Sequence, residues 1–160
     1  MMNGPIVVGT DGSATANRAL LTAIDLSQRF EQPLHVVCGY HPKPVQAGGL
    51  PAEIVALMSP DSWALAVLEE AATRARIRGV HAITHAEVGS GAEAILAVAE
   101  EVDADLIVIG NRGIDSKARF VLRNVPSQVV HHAPCSVHVV NTADAGDRVD
   151  EAAPAHVARH

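Results

Sequence analysis

The sequence predicts an α/β protein built on a parallel sheet with helices on both of its faces. Short apolar runs typical of strands alternate with helical patterns along the chain. Hydrophobic residues make up 48% of the chain and aromatic residues only 2%, so Val, Ile, Leu and Ala must form the core, as they do in strands buried on both faces. A length of 160 residues suits one domain with one core.

The first β-α-β unit is read from Ile6 to Tyr40. Ile6 to Thr10 is an apolar run that ends at the turn signal Asp11-Gly12, which predicts a buried strand. Ser13 is expected to cap the following helix. One face of that helix carries Ala16, Leu20, Ala23, Ile24 and Ser27. Pro33 ends it, and Leu34 to Tyr40 is predicted to form the second strand.

The middle of the chain has a different composition. Residues 41–60 are rich in Pro and Gly and are predicted to form a long loop, with one or two helical turns at 53–58. Asp61 is expected to cap a second long helix that ends near Arg78. Its predicted inward residues are Leu65, Leu68, Ala72 and Ala75. His81 to Val88 is predicted to be a weaker strand nearer an edge of the sheet.

The second half contains the remaining two strands. After the turn Gly89-Ser90-Gly91, a helix is predicted from the apolar stripe Ile95, Leu96, Val98, Ala99 and Val102. Leu106 to Ile109 is the best candidate for a central strand. Asn124 is expected to cap a short helix with Pro126 in its first turn. Ser136 to Val140 is the last strand, and the polar segment 142–160 is predicted to be a disordered tail.

A loop with several glycines and basic residues follows the central strand. In sheets of this kind, ligands bind beyond the carboxyl ends of the strands, where the strand order reverses. Gly110-Asn111-Arg112-Gly113 can present successive N–H groups to an anion. Residues 110–124 hold four basic residues and one acidic residue, a charge of +3 in a chain of −6. This favours a phosphate site, and the alternative is a plain surface loop with solvated charges.

Composition disfavours several other classes of function. A net charge of −6 does not favour a general nucleic-acid or membrane surface. No signal peptide and no apolar run of membrane-spanning length is recognised. Cys38 and Cys135 have no metal-binding or redox spacing, which favours two small apolar residues in a reducing cytoplasm.

The candidates for metal binding and catalysis are weak. His81 and His85 share one face of a strand but lie about 13 Å apart along it, too far for one ion. His131 and His132 diverge by about 100° on a helix. Ser13 and Ser90 stand outside any GxSxG nucleophile elbow. The sequence therefore predicts no metal site and no catalytic residue.

Two segments resemble the universal stress protein family. Residues 6–13, IVVGTDGS, resemble the family's opening strand, and Val129 to Val137 within residues 106–140 resemble its closing half. The resemblance covers about residues 5–141, so the expected domain is 1–141. It implies a five-stranded parallel sheet of order 3-2-1-4-5, Rossmann-like and similar to adenine nucleotide alpha hydrolases. It also implies a cytoplasmic stress-response protein, often a homodimer through the last strand, 136–140.

The resemblance also implies an adenine nucleotide site. Gly110 and Gly113 match the first half of the family's phosphate motif, whereas Arg123 and Asn124 replace its later glycine and its serine or threonine. The implied nucleotide-binding residues are Thr10, Asp11, Val36, Gly110, Arg112, Gly113, Arg123, Asn124 and Val125. Asp11, beside Thr10, would hold the ribose or the adenine region. Val36 would contact adenine through its backbone, and Val125 would offer a backbone N–H to phosphate. ATP is the expected ligand, with ADP or AMP as alternatives and Mg²⁺ accompanying the nucleotide.

Two functions remain open at this point. The first is a nucleotide-responsive regulatory module with at most slow ATP hydrolysis, because the chain has no Walker lysine and no recognised general base. The second is a dimeric interaction module that binds no nucleotide because Arg123 fills the pocket. An enzyme of a related α/β fold is disfavoured by the lack of a catalytic constellation.

Overall fold

Five strands and five helices are present in the described part of the chain. In a computed structural model, the described residues are 2–42, 48–57, 61–111 and 125–142. The strands are β1 (Ile6–Gly9), β2 (Leu34–Tyr40), β3 (Ala82–Val88), β4 (Leu106–Gly110) and β5 (Ser136–Val140). The helices are α1 (Ala14–Phe30), α2 (Ala52–Leu57), α3 (Ser62–Ile77), α4 (Gly91–Glu101) and α5 (Val125–His132).

The strands form one parallel sheet in the order β3-β2-β1-β4-β5, which confirms the predicted topology. Val8 of β1 is in register with Val36 of β2 on one side and Val108 of β4 on the other. The chain moves outward from β1 through β2 to β3 and then returns to place β4 beside β1. The carboxyl ends of β1 and β4 therefore mark the point where the strand order reverses.

The sheet has an apolar core on each face. Ile6 and Val8 of β1 face the side covered by α1 and α3, whereas Val7 between them faces the side of α4 and α5. All three are fully buried. Each such aliphatic side chain contributes on the order of 1.5–3 kcal/mol by leaving water. Both faces of the central strands are consequently held in place, and this positions the loops at their ends.

The predicted N-terminal caps of α1 and α3 differ in outcome. The Ser13 hydroxyl accepts a hydrogen bond from the Ala16 N–H at 3.1 Å, which confirms the predicted cap of α1. Asp61 stands at the cap position of α3, but its side chain makes no capping hydrogen bond to a described residue.

The prediction that Leu65 points inward from α3 is wrong, because its side chain is 49% exposed. The buried face of α3 carries Ala64, Leu68, Ala71 and Ala75. The small side chain of Ala64 lets the helix approach β2 and β3, and Leu65, about 100° further around the axis, turns away. Leu68 and Ala75 are buried as predicted, whereas Ala72 is half-buried.

Other predicted elements agree with the structure where it is described. The stripe on α4 is buried at Ile95, Val98 and Ala99, and β3 is an edge strand. The helical turns predicted at 53–58 correspond to α2. Residues 43–47, 58–60 and 112–124 lie outside the described residues, as does the predicted tail from 143 onward. No helix among the described residues is long and apolar enough to cross a membrane.

Candidate functional site

A cleft of about 300 Å³ opens at the carboxyl edge of the sheet, where the strand order reverses. This volume is at the lower end of the range for small-molecule pockets. Its walls come from the ends of β1, β2 and β4, the turn before α4, and the first residues of α3 and α5. The lining residues are Gly9, Thr10, Asp11, Ala16, Val37, Gly39, His41, Trp63, Gly89, Ser90, Gly91, Ile95, Ile109, Gly110, Val125 and Pro126.

The turn between β1 and α1 holds Asp11 at the cleft. The Thr10 hydroxyl oxygen accepts from the Gly12 N–H at 3.2 Å, and Asp11 Oδ1 accepts from the Ser13 N–H at 2.9 Å. Gly12 has a φ of +80°, which a glycine adopts without steric strain. These local bonds fix the carboxylate of Asp11, which lines the cleft as a hydrogen-bond acceptor.

A second wall forms where β2 meets the turn before α4. The Ser90 hydroxyl accepts from the Glu93 N–H at 3.2 Å, while the Ser90 N–H donates to Glu93 Oε2 at 3.1 Å, so Ser90 is held in a capping box. Gly39 packs directly against this turn. A Cβ atom at Gly39 would lie 2.8 Å from the Ser90 carbonyl oxygen. Only a glycine therefore permits the observed contact between these two backbone segments.

The third wall joins β4 to β5. Asn111, just after β4, accepts hydrogen bonds through Oδ1 from the Thr142 N–H at 2.9 Å and from the Thr142 hydroxyl at 2.8 Å. Thr142 is only 1% exposed, although the sequence assigned it to the tail. Gly110 lies beside this pair, because its Cβ would come 3.1 Å from Thr142 Cγ2. Val125, which begins α5, lines the cleft nearby.

The floor of the cleft is apolar and its rim is polar. Val37, Ile95 and Ile109 are buried below it, at 1%, 4% and 4% exposure. Asp11 is the one carboxylate among the described residues that line the cleft. Such a cleft suits a flat, largely apolar ring with polar substituents at its edge.

The thiol nearest the cleft is a poor nucleophile. Burial raises the pKa of Cys38 to about 11, and the negative charge of Asp11 acts in the same direction. The thiol therefore stays protonated at neutral pH, whereas the reactive form of cysteine is the thiolate. Cys38 belongs to the core on the α1 and α3 side.

Four of the nine predicted binding residues line this cleft: Thr10, Asp11, Gly110 and Val125. Val36 does not line it. Its side chain is fully buried in the opposite core, and Val37 and Gly39 are the β2 residues at the cleft. The other predicted binding residues lie outside the described residues: Arg112, Gly113, Arg123 and Asn124.

Sequence reasoning missed several lining residues. The sequence pattern assigns neither His41 nor Trp63 to a site, and it predicts residues 89–91 only as the turn before a helix. A signal existed for Gly39 and for Gly89, because glycines at the carboxyl ends of strands permit close backbone approach. The position of Trp63 depends on how α3 packs, which local sequence does not specify.

Histidines pair at a different place from the one weighed in the sequence. His35 Nδ1 lies 2.8 Å from His85 Nε2, across β2 and β3 on the α4 side of the sheet. His35 is 8% exposed. Within residues 2–42, 48–57, 61–111 and 125–142, no group of three or more His, Cys, Asp or Glu side chains is arranged to hold a metal ion.

Comparisons with known proteins agree on one family. The family model described as "Universal stress protein family" matches residues 2–141. A relative from Staphylococcus saprophyticus, named as a universal stress protein, is 33% identical over 149 residues, which is 87% of this chain and 84% of the relative.

Two solved structures extend this similarity to the fold. A universal stress protein solved in complex with cAMP is 30% identical, with a TM-score of 0.65 over 89% of this chain and 99% of that one. A universal stress protein from Archaeoglobus fulgidus solved in complex with dAMP is 27% identical, with a TM-score of 0.60 over 88% of this chain and 100% of that one.

Proposed function

This chain belongs to the universal stress protein family, and we propose that it binds an adenine nucleotide in the cleft and acts as a nucleotide-responsive regulatory module of the stress response. The observation that carries the proposal is the cleft itself. Its apolar floor, its glycine backbone and Asp11 meet at the strand-order reversal. Two solved proteins of this fold, with 27–30% identity, hold cAMP and dAMP.

The nucleoside is proposed to occupy the end of the cleft near β1 and β2. Asp11 offers a carboxylate oxygen to ribose hydroxyls or to the adenine amino group, all of which are donors. Val37 provides an apolar surface for the base. Gly39 also lines this end, where it packs against the Ser90 turn, so the contact expected for Val36 is assigned here to Val37 and Gly39.

The phosphate is proposed to occupy the end near β4 and α5. Val125 begins α5, where unpaired N–H groups and the helix dipole favour an anion. Gly110, at the end of β4, lines the same end of the cleft. Four residues complete this end on sequence grounds alone: Arg112, Gly113, Arg123 and Asn124. Arginine pairs well with phosphate in a bidentate geometry. We propose ATP as the ligand, with Mg²⁺ accompanying it.

The proposed role is binding rather than demanding catalysis. Cys38 stays protonated at neutral pH for the reasons given above, so it does not supply a nucleophile. Any ATP hydrolysis is expected to be slow, because positioning alone leaves the phosphoryl transfer without an activated water. We place this activity in the cytoplasm, where the two free cysteines, Cys38 and Cys135, remain reduced.

Isothermal titration of the nucleotide-stripped full chain with ATP, AMP and cAMP tests the proposal. Saturable binding in the micromolar range is the expected result. Asp11→Asn should weaken AMP binding by about 10-fold or more, because a hydrogen bond to a charged acceptor is worth about 1.5–3 kcal/mol. Asp25→Asn is the matched control, since it removes the same charge from an exposed ion pair with Arg78. No heat with any nucleotide up to millimolar concentration would overturn the proposal.

The role of Arg123 separates this proposal from an interaction module without nucleotide. If Arg123 binds phosphate, Arg123→Ala weakens ATP binding and leaves adenosine binding unchanged. If it obstructs the cleft, Arg123→Gly creates or strengthens ATP binding. Equal ATP affinity in both variants and the parent chain would remove Arg123 from the site.

We also propose a homodimer through β5. This strand is the edge opposite β3, and Ser136, His138 and Val139 on it are exposed. An edge strand presents unpaired N–H and C=O groups to a second copy. Sedimentation velocity of the full chain measures the assembly, and a monomer at all accessible concentrations would contradict it.

A further inference from the structure

Trp63 lies at the mouth of the cleft and has no part in the described core. It is the only tryptophan in the chain, and it stands in the first turn of α3, whose buried face is carried by alanines and Leu68. It belongs to neither hydrophobic cluster. Its side chain is 53% exposed. An exposed indole that lines a cavity offers a large, flat apolar face to a molecule that enters it.

The packing of α3 places Trp63 at the Asp11 end of the cleft. Val67, one helical turn after Trp63 on the same face, packs against the turn between β1 and α1, because a Cβ at Gly12 would lie 3.2 Å from Val67 Cγ2. Asp11 precedes Gly12 in that turn. Both Trp63 and Asp11 line the cleft. The aromatic surface is therefore next to the carboxylate, at the end assigned above to the nucleoside.

Leu65 is a second exposed apolar side chain near the start of α3, and it can be compared with Trp63. It is also exposed on the first turns of α3, at 49%, but it does not line the cleft. A nonspecific hydrophobic surface on α3 would explain the exposure of both side chains equally well. Only the indole faces the cavity, and His41 joins it at the mouth.

We propose that Trp63 stacks on the base of the bound nucleotide and makes the cleft selective for ligands that carry a nucleobase. This inference rests on the proposed nucleotide-binding function and adds a specificity-determining residue to it. Stacking of a base on an aromatic side chain contributes on the order of 1–3 kcal/mol, which corresponds to about 5- to 150-fold in affinity. The indole contacts the base only, so it adds no affinity for a sugar phosphate that lacks a base.

Two titrations of the full-length chain test this inference. The first follows Trp63 fluorescence during addition of AMP and then of ribose 5-phosphate. AMP should change the emission with the same Kd that calorimetry gives, whereas ribose 5-phosphate should leave the emission unchanged. Because Trp63 is the only tryptophan, the signal comes from this side chain alone.

The second titration compares variants by calorimetry. Trp63→Leu should weaken AMP binding by about 10-fold and leave ribose 5-phosphate binding unchanged, while Trp63→Phe should retain most of the AMP affinity. Phe30→Leu is the matched control, because Phe30 is 43% exposed at the far end of α1. Thermal melting of each variant verifies folding, and the fluorescence titration of the parent chain keeps the inference testable if Trp63→Leu is destabilised.

The outcomes distinguish this inference from the function on which it rests. If the parent chain binds no AMP, the proposed function fails and the stacking role fails with it. If the parent chain binds AMP but Trp63→Leu binds it equally well, or saturating AMP leaves the emission unchanged, only the stacking role is overturned.

Discussion

Substitution of Gly39 by alanine should damage both the stability and the binding cleft. The added Cβ would lie 2.8 Å from the Ser90 carbonyl oxygen, 2.9 Å from the Gly89 carbonyl oxygen and 3.0 Å from the Ser90 carbonyl carbon. These are backbone atoms, so no flexible side chain can turn away to make room. An ordinary van der Waals contact at this position requires the two segments to separate by roughly half an ångström.

The turn at Gly89 and Ser90 has little freedom to move away. The Gly89 N–H donates to the Tyr40 carbonyl oxygen at 2.9 Å, and Ser90 is held by its capping box with Glu93. Overpacking of this kind typically costs about 1–3 kcal/mol. In a chain of this length, a loss of 1–3 kcal/mol lowers the Tm by about 2–12 °C. Because the same turn lines the cleft, AMP affinity should fall with it.

Differential scanning calorimetry and AMP titration of Gly39→Ala measure these two effects. Gly48→Ala is the matched control, since a Cβ at Gly48 meets no atom of a described residue within 4 Å. If Gly39→Ala melts within about 1 °C of Gly48→Ala and binds AMP equally well, the close packing of β2 against the α4 turn does not constrain the cleft, and the reasoning is refuted.

Two further predictions concern pH and the end of the folded domain. Burial, and then the charge of the neighbouring His85, lower the pKa of His35 from its ordinary value of 6.5, while Glu101 acts in the opposite direction. As the pH falls, His35 is therefore protonated in the unfolded chain before it is protonated in the folded chain. The free energy of unfolding should consequently fall as the pH drops below about 6.5. Urea titrations should show this loss flattened in His35→Leu and retained when the exposed His81 is replaced by alanine, and an equal acid loss in both variants would exclude the pair as its cause. Because Thr142 is buried and hydrogen-bonded to Asn111, a chain ending at residue 144 should keep the parent Tm, whereas a chain ending at 141 should melt lower; equal melting of the two chains would show that Thr142 adds nothing.

The sheet was predictable because its signals are local. Each central strand is a short run of Val, Ile and Leu bounded by turn residues, and these runs alternate with amphipathic segments. The order of the strands came from resemblance to a family, and the structure confirms it. The orientation of α3 was less accessible. Alanines occur on several of its faces, so the pattern around Leu65 does not distinguish the buried stripe from its neighbour.

The cleft was predictable only in part, because some of its contacts join residues that are far apart in the sequence. Thr10, Asp11 and Gly110 follow strands, and the carboxyl ends of parallel strands meet at one edge of the sheet. The contact between Gly39 and Ser90 joins residues about fifty positions apart, and no local pattern reports such an approach. The pairing of His35 with His85 likewise depends on the register of β2 and β3. Spacing within one strand pointed instead to His81 and His85.

The proposed function assigns nucleoside recognition and phosphate recognition to separate ends of the cleft. The end assigned to the nucleoside is formed by Asp11, Val37, Gly39 and Trp63, all of which line the cleft. The departures from the family's motif are Arg123 and Asn124, and the resemblance to the family assigns both to the phosphate end. Affinities for adenosine, AMP and ATP therefore measure the two ends in turn. A constant affinity across the three ligands would mean that replacing the motif's glycine and its serine or threonine by Arg123 and Asn124 has removed phosphate recognition. An affinity that rises from adenosine to AMP to ATP would mean that phosphate recognition tolerates both replacements.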